Sequence, residues 1–515
     1  MATTNYIYVI KEHSFDIDGV GKFDCSSIDI HLAMNTIPTA TVLVAPEKSR
    51  QGKPTIHALS LEALKSKLDK VCEAATKDTT ANLKIELTIY KDGPNQRGIP
   101  YKLELKDWVL VSAGLSRVTT THEFALACTI AHPAARLTRY GGFYLNLAEE
   151  LDPAEYADGV ENVLDAASTM YEALAGAERA EILTAEEEIG FSGKDSDAIM
   201  DDVQEVFDKA AESVEECLEW DPDRGGGSGN AFPCEDSLDE DMLLGLKMAV
   251  CDQFMPQVSS TIWDSVMSAC GLLGLAIYPE YKKEKLVVGP RNEWTEPELL
   301  ILDRNVTELN LPGFDSDPVY GVRMIEGVDG FQAGLSTYPQ NGGENLDMPA
   351  DQLAFVPSGV DKACGKLVTV RAPAWIIAMQ AYAASLSSPE PGESDDSEET
   401  SGDNENIGEY NDVKMRVLAS YFMTLFHRGL EASIVAPLTL TGVAKSGEEK
   451  PDFVPGKVAS FMTGEKTVLF EGYVTTVSHH IDCSSSSATT TVRFSHCRPE
   501  GGYDFMSGAD ENPLY

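Results

Sequence analysis

The charge in this chain is segregated, and that decides which parts can build a core. From Glu149 to Asp223 there are 25 acidic residues against three basic ones (Arg179, Lys194 and Lys209), a net of −22. From Glu390 to Glu409 there are nine acidic residues and no basic one, a net of −9. Together the two segments hold −31 of the −43 carried by all 515 residues, so the rest is close to balanced. At 43% hydrophobic residues the chain can bury an ordinary globular core, and its length points to about three domains.

The acidity also excludes classes of partner. A surface for nucleic acid or anionic lipid needs Lys and Arg against phosphates, which this chain does not supply. Residues 1–12 lack the basic start and apolar run of a secretion signal, and no run of about 18 apolar residues occurs to span a membrane. The ten cysteines, from Cys25 to Cys497, include no C-x-x-C pair, which fits neither a disulfide framework nor a zinc ribbon. The expectation is a reduced, intracellularly assembled protein with buried thiols.

The first acidic segment reads as a helical pair. Asp152-Pro153-Ala154-Glu155 has the form of a helix start. Val160, Val163, Leu164, Ala167, Met170 and Leu174 then recur at helical spacing, and a second helix is expected from about Ser196 to Trp220. Residues 223–230 form a Gly-rich linker, and residues 387–409 have too few apolar side chains to offset the entropy of ordering, so a disordered loop is expected there.

The body alternates strands with a few helices. Two β runs flank the turn residues Asn35 to Pro38 within Ile28–Val44. Leu61, Leu64, Leu68, Val71 and Cys72 line one helix face. Leu83–Tyr90 reads as a strand, and Trp108–Leu115 with Thr119–Ile130 as a hairpin. Helices are expected over Met242–Phe254, Thr261–Cys270 and Val413–Phe426. Further strands are expected over Leu275–Tyr278, Leu286–Val288, Ile434–Val443, Val458–Met462, Val468–His480 and Thr489–His496. The hairpin near Trp108 echoes one near Tyr473: Trp108 and Tyr473 open the first strands, and Thr119–Phe124 parallels Thr489–Phe494.

No nucleotide, nucleophile-elbow or metalloprotease motif is present; Gly464-Glu465-Lys466-Thr467 is only a fragment of a phosphate loop. One cluster could hold a metal: His479, His480, Cys483, His496 and Cys497, on or beside two neighbouring strands. Strand alternation lets about three of them share a face, fewer than the four donors a zinc site requires, so they read as structural strand residues. No catalytic, cofactor-binding or metal residue is assigned.

The ordered blocks resemble a family. Phe23–Pro46 is similar to the opening of phage baseplate hub proteins (the late-control tail protein family), with Asn35-Thr36-Ile37-Pro38-Thr39-Ala40 at its turn. Lys106–Val111 leading to Pro133, Thr261-Ile262-Trp263-Asp264 through Gly274 to Pro279, Val454–Val458 and Gly472–Ile481 resemble that family's later blocks. The resemblance implies an α+β, β-rich fold: two related β-barrel-like hub domains, residues 1–148 and 301–515, flanking a helical middle domain, residues 149–300. It implies a non-enzymatic homotrimer joining a six-fold tail tube protein to a three-fold central spike protein, around a channel for DNA or the tape-measure protein. Baseplate wedge proteins would surround it, in a virion tail assembled in the host cytoplasm, without cofactor or specific nucleic-acid binding. The rivals are a tail-associated cell-wall hydrolase and a carrier subunit of a secretion or injection system. The family's core does not need the acidic segments, and no spike-like repeats follow the closing hairpin.

Overall fold

The computed structural model describes residues 6–44, 61–91, 98–117, 124–139, 212–213, 216–221, 261–272, 275–279, 284–291, 296–303, 306–311, 319–326, 353–355, 366–372, 430–438, 443–444, 454–464 and 467–498. The first helix of the acidic pair, the Gly-rich linker, the acidic loop at 387–409 and the helices expected over Met242–Phe254 and Val413–Phe426 lie outside the described residues.

The N-terminal strands are β1 (Tyr6–Ile17), β2 (Gly21–Ala33), β3 (Thr39–Val44), β4 (Thr80–Lys91), β5 (Ile99–Arg117) and β6 (Phe124–Ala131), with helix α1 (Leu61–Ala75) before β4. They pair in the order β1-β4-β5-β6-β3-β2, and β1 also pairs with β2, so the six strands close into an antiparallel ring. Alternation explains the closure: Phe15 and Ile17, Ile28, Ile30 and Leu32, Leu83, Ile85 and Leu87, and Leu126, Cys128 and Ile130 all point into one buried core. The turn between β1 and β2 needs positive φ at Gly19 (71°) and Gly21 (128°), where glycine costs nothing. Helix α1 adds Val71 and Ala74 to the core; Cys72, expected on that face, is exposed instead.

A small sheet follows. Strand β7 (Leu218–Trp220) runs parallel to β9 (Leu286–Pro290), which pairs antiparallel with β8 (Leu275–Tyr278). The second acidic helix was expected to reach Trp220; its last three residues are strand, because pairing with β9 outweighs local helical preference. Helix α2 (Ile262–Leu272) starts at a capping box: the Thr261 N–H donates to Asp264 Oδ2 at 2.9 Å, and the Asp264 N–H donates to Thr261 Oγ1 at 3.2 Å.

Next come β10 (Leu299–Leu302) and β11 (Glu308–Asn310). Strands β12 (Val319–Glu326), β13 (Leu353–Phe355) and β14 (Lys366–Ala372) make a separate three-stranded sheet. The C-terminal strands are β15 (Leu430–Pro437), β16 (Val443–Ala444), β17 (Val458–Met462), β18 (Val468–Asp482) and β19 (Ser487–Arg498). Here β17-β18-β19-β15-β11 is a run of antiparallel neighbours, and β10 lies parallel to β17. A second core fills this set, with Ile301, Ile434, Phe461, Phe470, Val474, Val477, Val492 and Phe494.

The two sets share an order. Strands β2, β3, β4, β5 and β6 are arranged β4-β5-β6-β3-β2, and β11, β15, β17, β18 and β19 are arranged β17-β18-β19-β15-β11, in the same chain sequence and antiparallel throughout. A bulge fixes the correspondence. The register shifts between Leu110 and Ser112 in β5, and between Val474 and Thr476 in β18. With Val111 matched to Thr475, Ala40-Thr41-Val42 falls on Ala432-Ser433-Ile434, and Ile28-Asp29-Ile30 on Leu309-Asn310-Leu311. This corrects the echo read from sequence: Tyr473 matches Val109 rather than Trp108, and Phe494 matches Ile130 rather than Phe124.

Candidate functional site: the join between the two strand sets

The two sets are joined edge to edge. Strands β2 and β18 pair antiparallel over seven positions, from Ala33 opposite Thr476 to Ser27 opposite Asp482. The Met34 N–H donates to the Thr475 carbonyl at 2.9 Å, and the Cys483 N–H donates to the Ser26 carbonyl at 2.9 Å. On one face Ile28, Ile30 and Leu32 sit opposite Ile481, His479 and Val477, all buried. On the other, His480 Nδ1 lies 2.5 Å from Asp29 Oδ1 and His31 Nδ1 lies 3.0 Å from Ser478 Oγ. The end of the β18–β19 hairpin places Ile481, within the join, and Ala488, across from it on β19, in the core of the N-terminal ring.

The small sheet docks beside this join. Asn35, held at φ 57°, donates its N–H to the Ile277 carbonyl at 3.0 Å, while its Oδ1 accepts the Ile277 N–H at 2.8 Å. Asparagine suits both tasks, tolerating left-handed backbone and offering a peptide-like side chain. Gly456 (φ 88°) lies against the Tyr278 ring; a Cβ there would come within 2.2 Å of it. Its N–H donates to the Val474 carbonyl at 2.9 Å, so one residue links β18 to the small sheet.

The five residues of the candidate metal cluster have separate surroundings. Buried His479 has Nδ1 2.9 Å from Thr490 Oγ1, and burial pushes its pKa down to about 4. His480 faces Asp29 on the exposed side. Cys483 packs against the N-terminal core, Cys497 lies in the C-terminal core, and burial pushes their thiols up to about 11 and about 12. His496 is buried with Nδ1 2.7 Å from Ser495 Oγ. Among the described residues no three His, Cys, Asp or Glu side chains gather as metal ligands.

His496 has a counterpart. Its ring meets Tyr473 edge-on at 6.1 Å, and in the N-terminal ring His132, at the matching position, meets Trp108 edge-on at 6.1 Å. The sequence echo found the two aromatics and missed the histidines, which stand at unequal distances from the following prolines. Across β18 and β19, buried Arg498 Nε lies 3.7 Å from buried Glu471 Oε2. Asp29, His31 and Asn35 were not singled out as joining residues either, because their partners lie more than 240 positions away.

The arrangement is adhesive: backbone ladder, apolar face and polar face together weld two like sheets into one surface. Among the described residues, no helix is long and apolar enough to cross a membrane. No family model matches the chain, and no curated protein matches it. Solved structures do. A tail protein from Neisseria meningitidis is 11% identical, with a TM-score of 0.43, covering 96% of this chain and 98% of that one. The 43 kDa tail protein of prophage MuSo2 from Shewanella oneidensis is 7% identical, with a TM-score of 0.39, covering 94% and 97%. An E. coli component of the type VI secretion system is 8% identical, with a TM-score of 0.30, covering 95% and 78%.

Proposed function

We propose that this chain is the structural hub of a phage tail baseplate, a homotrimer that joins a six-fold tail tube to a three-fold central spike. The supporting observation is the repeated strand order: β4-β5-β6-β3-β2 recurs as β17-β18-β19-β15-β11, and the two sets are fused through β2 and β18. A chain with two like modules supplies six of them in three copies, which matches a six-fold partner on one side and a three-fold partner on the other. In this reading residues 1–148 and 301–515 are the two related barrel domains and 149–300 the middle domain. The partners are the tube protein, the spike protein, the tape-measure protein and the surrounding wedge proteins. The role is mechanical rather than enzymatic, and the place is the virion tail.

The ring encloses a channel for DNA or the tape-measure protein, and the net charge of −43 keeps DNA from adhering to it. Light scattering on the purified chain tests the stoichiometry. The expected mass is three times the 55.8 kDa chain, alone or with the spike protein co-expressed. A stable dimer under both conditions would remove the hub reading.

A further inference from the structure

Three of the chain's nine histidines, His31, His479 and His480, stand in the seven-position pairing of β2 with β18. Histidine ordinarily titrates between pH 5 and 8, so acid acts on this join before it acts on carboxylates. The join is also the one strand pairing between the two sets among the described residues. Without it β2 still pairs with β1 and β3, and β18 still pairs with β17 and β19. Each set has its own core. Loss of the join therefore leaves neither strand without a partner.

The three rings act with different signs. His479 lies on the buried face, opposite Ile30 of β2 and beside Thr490 of β19. Burial holds its pKa near 4, so the closed join refuses a proton that the opened join accepts. His31 works in the same direction: burial, and then the Arg493 guanidinium on β19, lowers its pKa. His480 works the other way, since its protonation adds an ion pair with Asp29 across the join. Those two side chains are 53% and 56% exposed, and solvent screens the gain.

The remaining neighbours keep their charge state in this range. Burial of Asp482 is outweighed by hydrogen bonds from Ser484 and Ser485, which hold its carboxyl at about 2. Burial keeps the Cys25 and Cys483 thiols and the Tyr8 hydroxyl protonated. Facing His31 and Asp29 from β3 are Thr39 and Thr41, and facing His480 from β19 is Thr489, all without charge.

We propose that the β2–β18 join is an acid-sensitive latch, which opens below neutral pH and lets the two strand sets move apart while each stays folded. Opening exposes Ile28, Ile30 and Leu32 together with Val477 and Ile481, which keeps the latch shut at neutral pH. A group with a pKa of 6.5 when open and about 4 when closed raises the opening constant about twenty-fold between pH 7 and 5. The latch lies within one chain and does not depend on how many copies assemble.

Hydrogen–deuterium exchange on the purified full chain at pH 7 and pH 5, corrected for the intrinsic rate at each pH, reads the opening. The Met34 and Cys483 amides bond across the join and report on it, while the amides of β4 and β15 report on the two cores. The expected result is a rise of about twenty-fold in opening at the join, with β4 and β15 unchanged. His479→Asn is expected to remove most of that rise, and His480→Gln to keep it.

No rise at the join, or an equal rise at the join and in both cores, overturns the latch. So does a His479→Asn variant that keeps the full rise. Should His479→Asn melt early at pH 7, the wild-type profile decides alone. A rise that sets in near pH 6.5 supports the latch, and one that starts only below about 4.5, where carboxylates titrate, overturns it.

Discussion

His479 is a single side chain with a measurable thermodynamic signature. In the folded chain burial holds its pKa near 4, against an ordinary value of 6.5. As pH falls, the unfolded chain takes up the proton first, so the stability this residue contributes is complete above 6.5 and is lost between 6.5 and 4. A gap of that size corresponds to about 3 kcal/mol. Urea titrations across this window should show wild type losing about that much more than His479→Asn; equal pH slopes would contradict the assignment. Arg498 gives a second test. Glu471→Ala removes the carboxylate beside a buried guanidinium and is expected to cost about 3 kcal/mol or more in the same assay.

Among the elements, the small sheet depends on one glycine. Gly456→Ala puts a methyl group into the Tyr278 ring at positive φ, and should cost about 2 kcal/mol or more. A neutral effect in chemical denaturation would show that the small sheet is not held there. The two aromatic–histidine pairs should behave alike: Trp108→Ala and Tyr473→Ala are each expected to cost about 3 kcal/mol or more, because each empties a buried site. Strands with an apolar period of two and clear turn residues were legible in the sequence; Val458–Met462 was read with the bounds observed for β17. Those defined by distant partners were not. The three residues of β7 sit in acidic, helix-favouring sequence and become a strand only against β9. β11 has no buried residue to reveal it. The echo slipped because Val- and Thr-rich strands look alike at several registers: it set Tyr473 against Trp108, next to its match Val109, and Phe494 against Phe124, well short of its match Ile130. The metal cluster was legible only as proximity along the chain, and the fold separates its members between two cores and an exposed face.

For the whole molecule, the repeated strand order and the shared sheet make one chain a pair of like units in fixed relation. That is the property a hub needs in order to convert three-fold into six-fold symmetry, and it is encoded where β2 meets β18. The most direct test is to image the purified assembly end-on by electron microscopy and average the particles without imposed symmetry. The account predicts a ring of three copies with a central opening and six lobes of similar size. A two-fold particle, or a ring whose lobes are not paired within each copy, would contradict it.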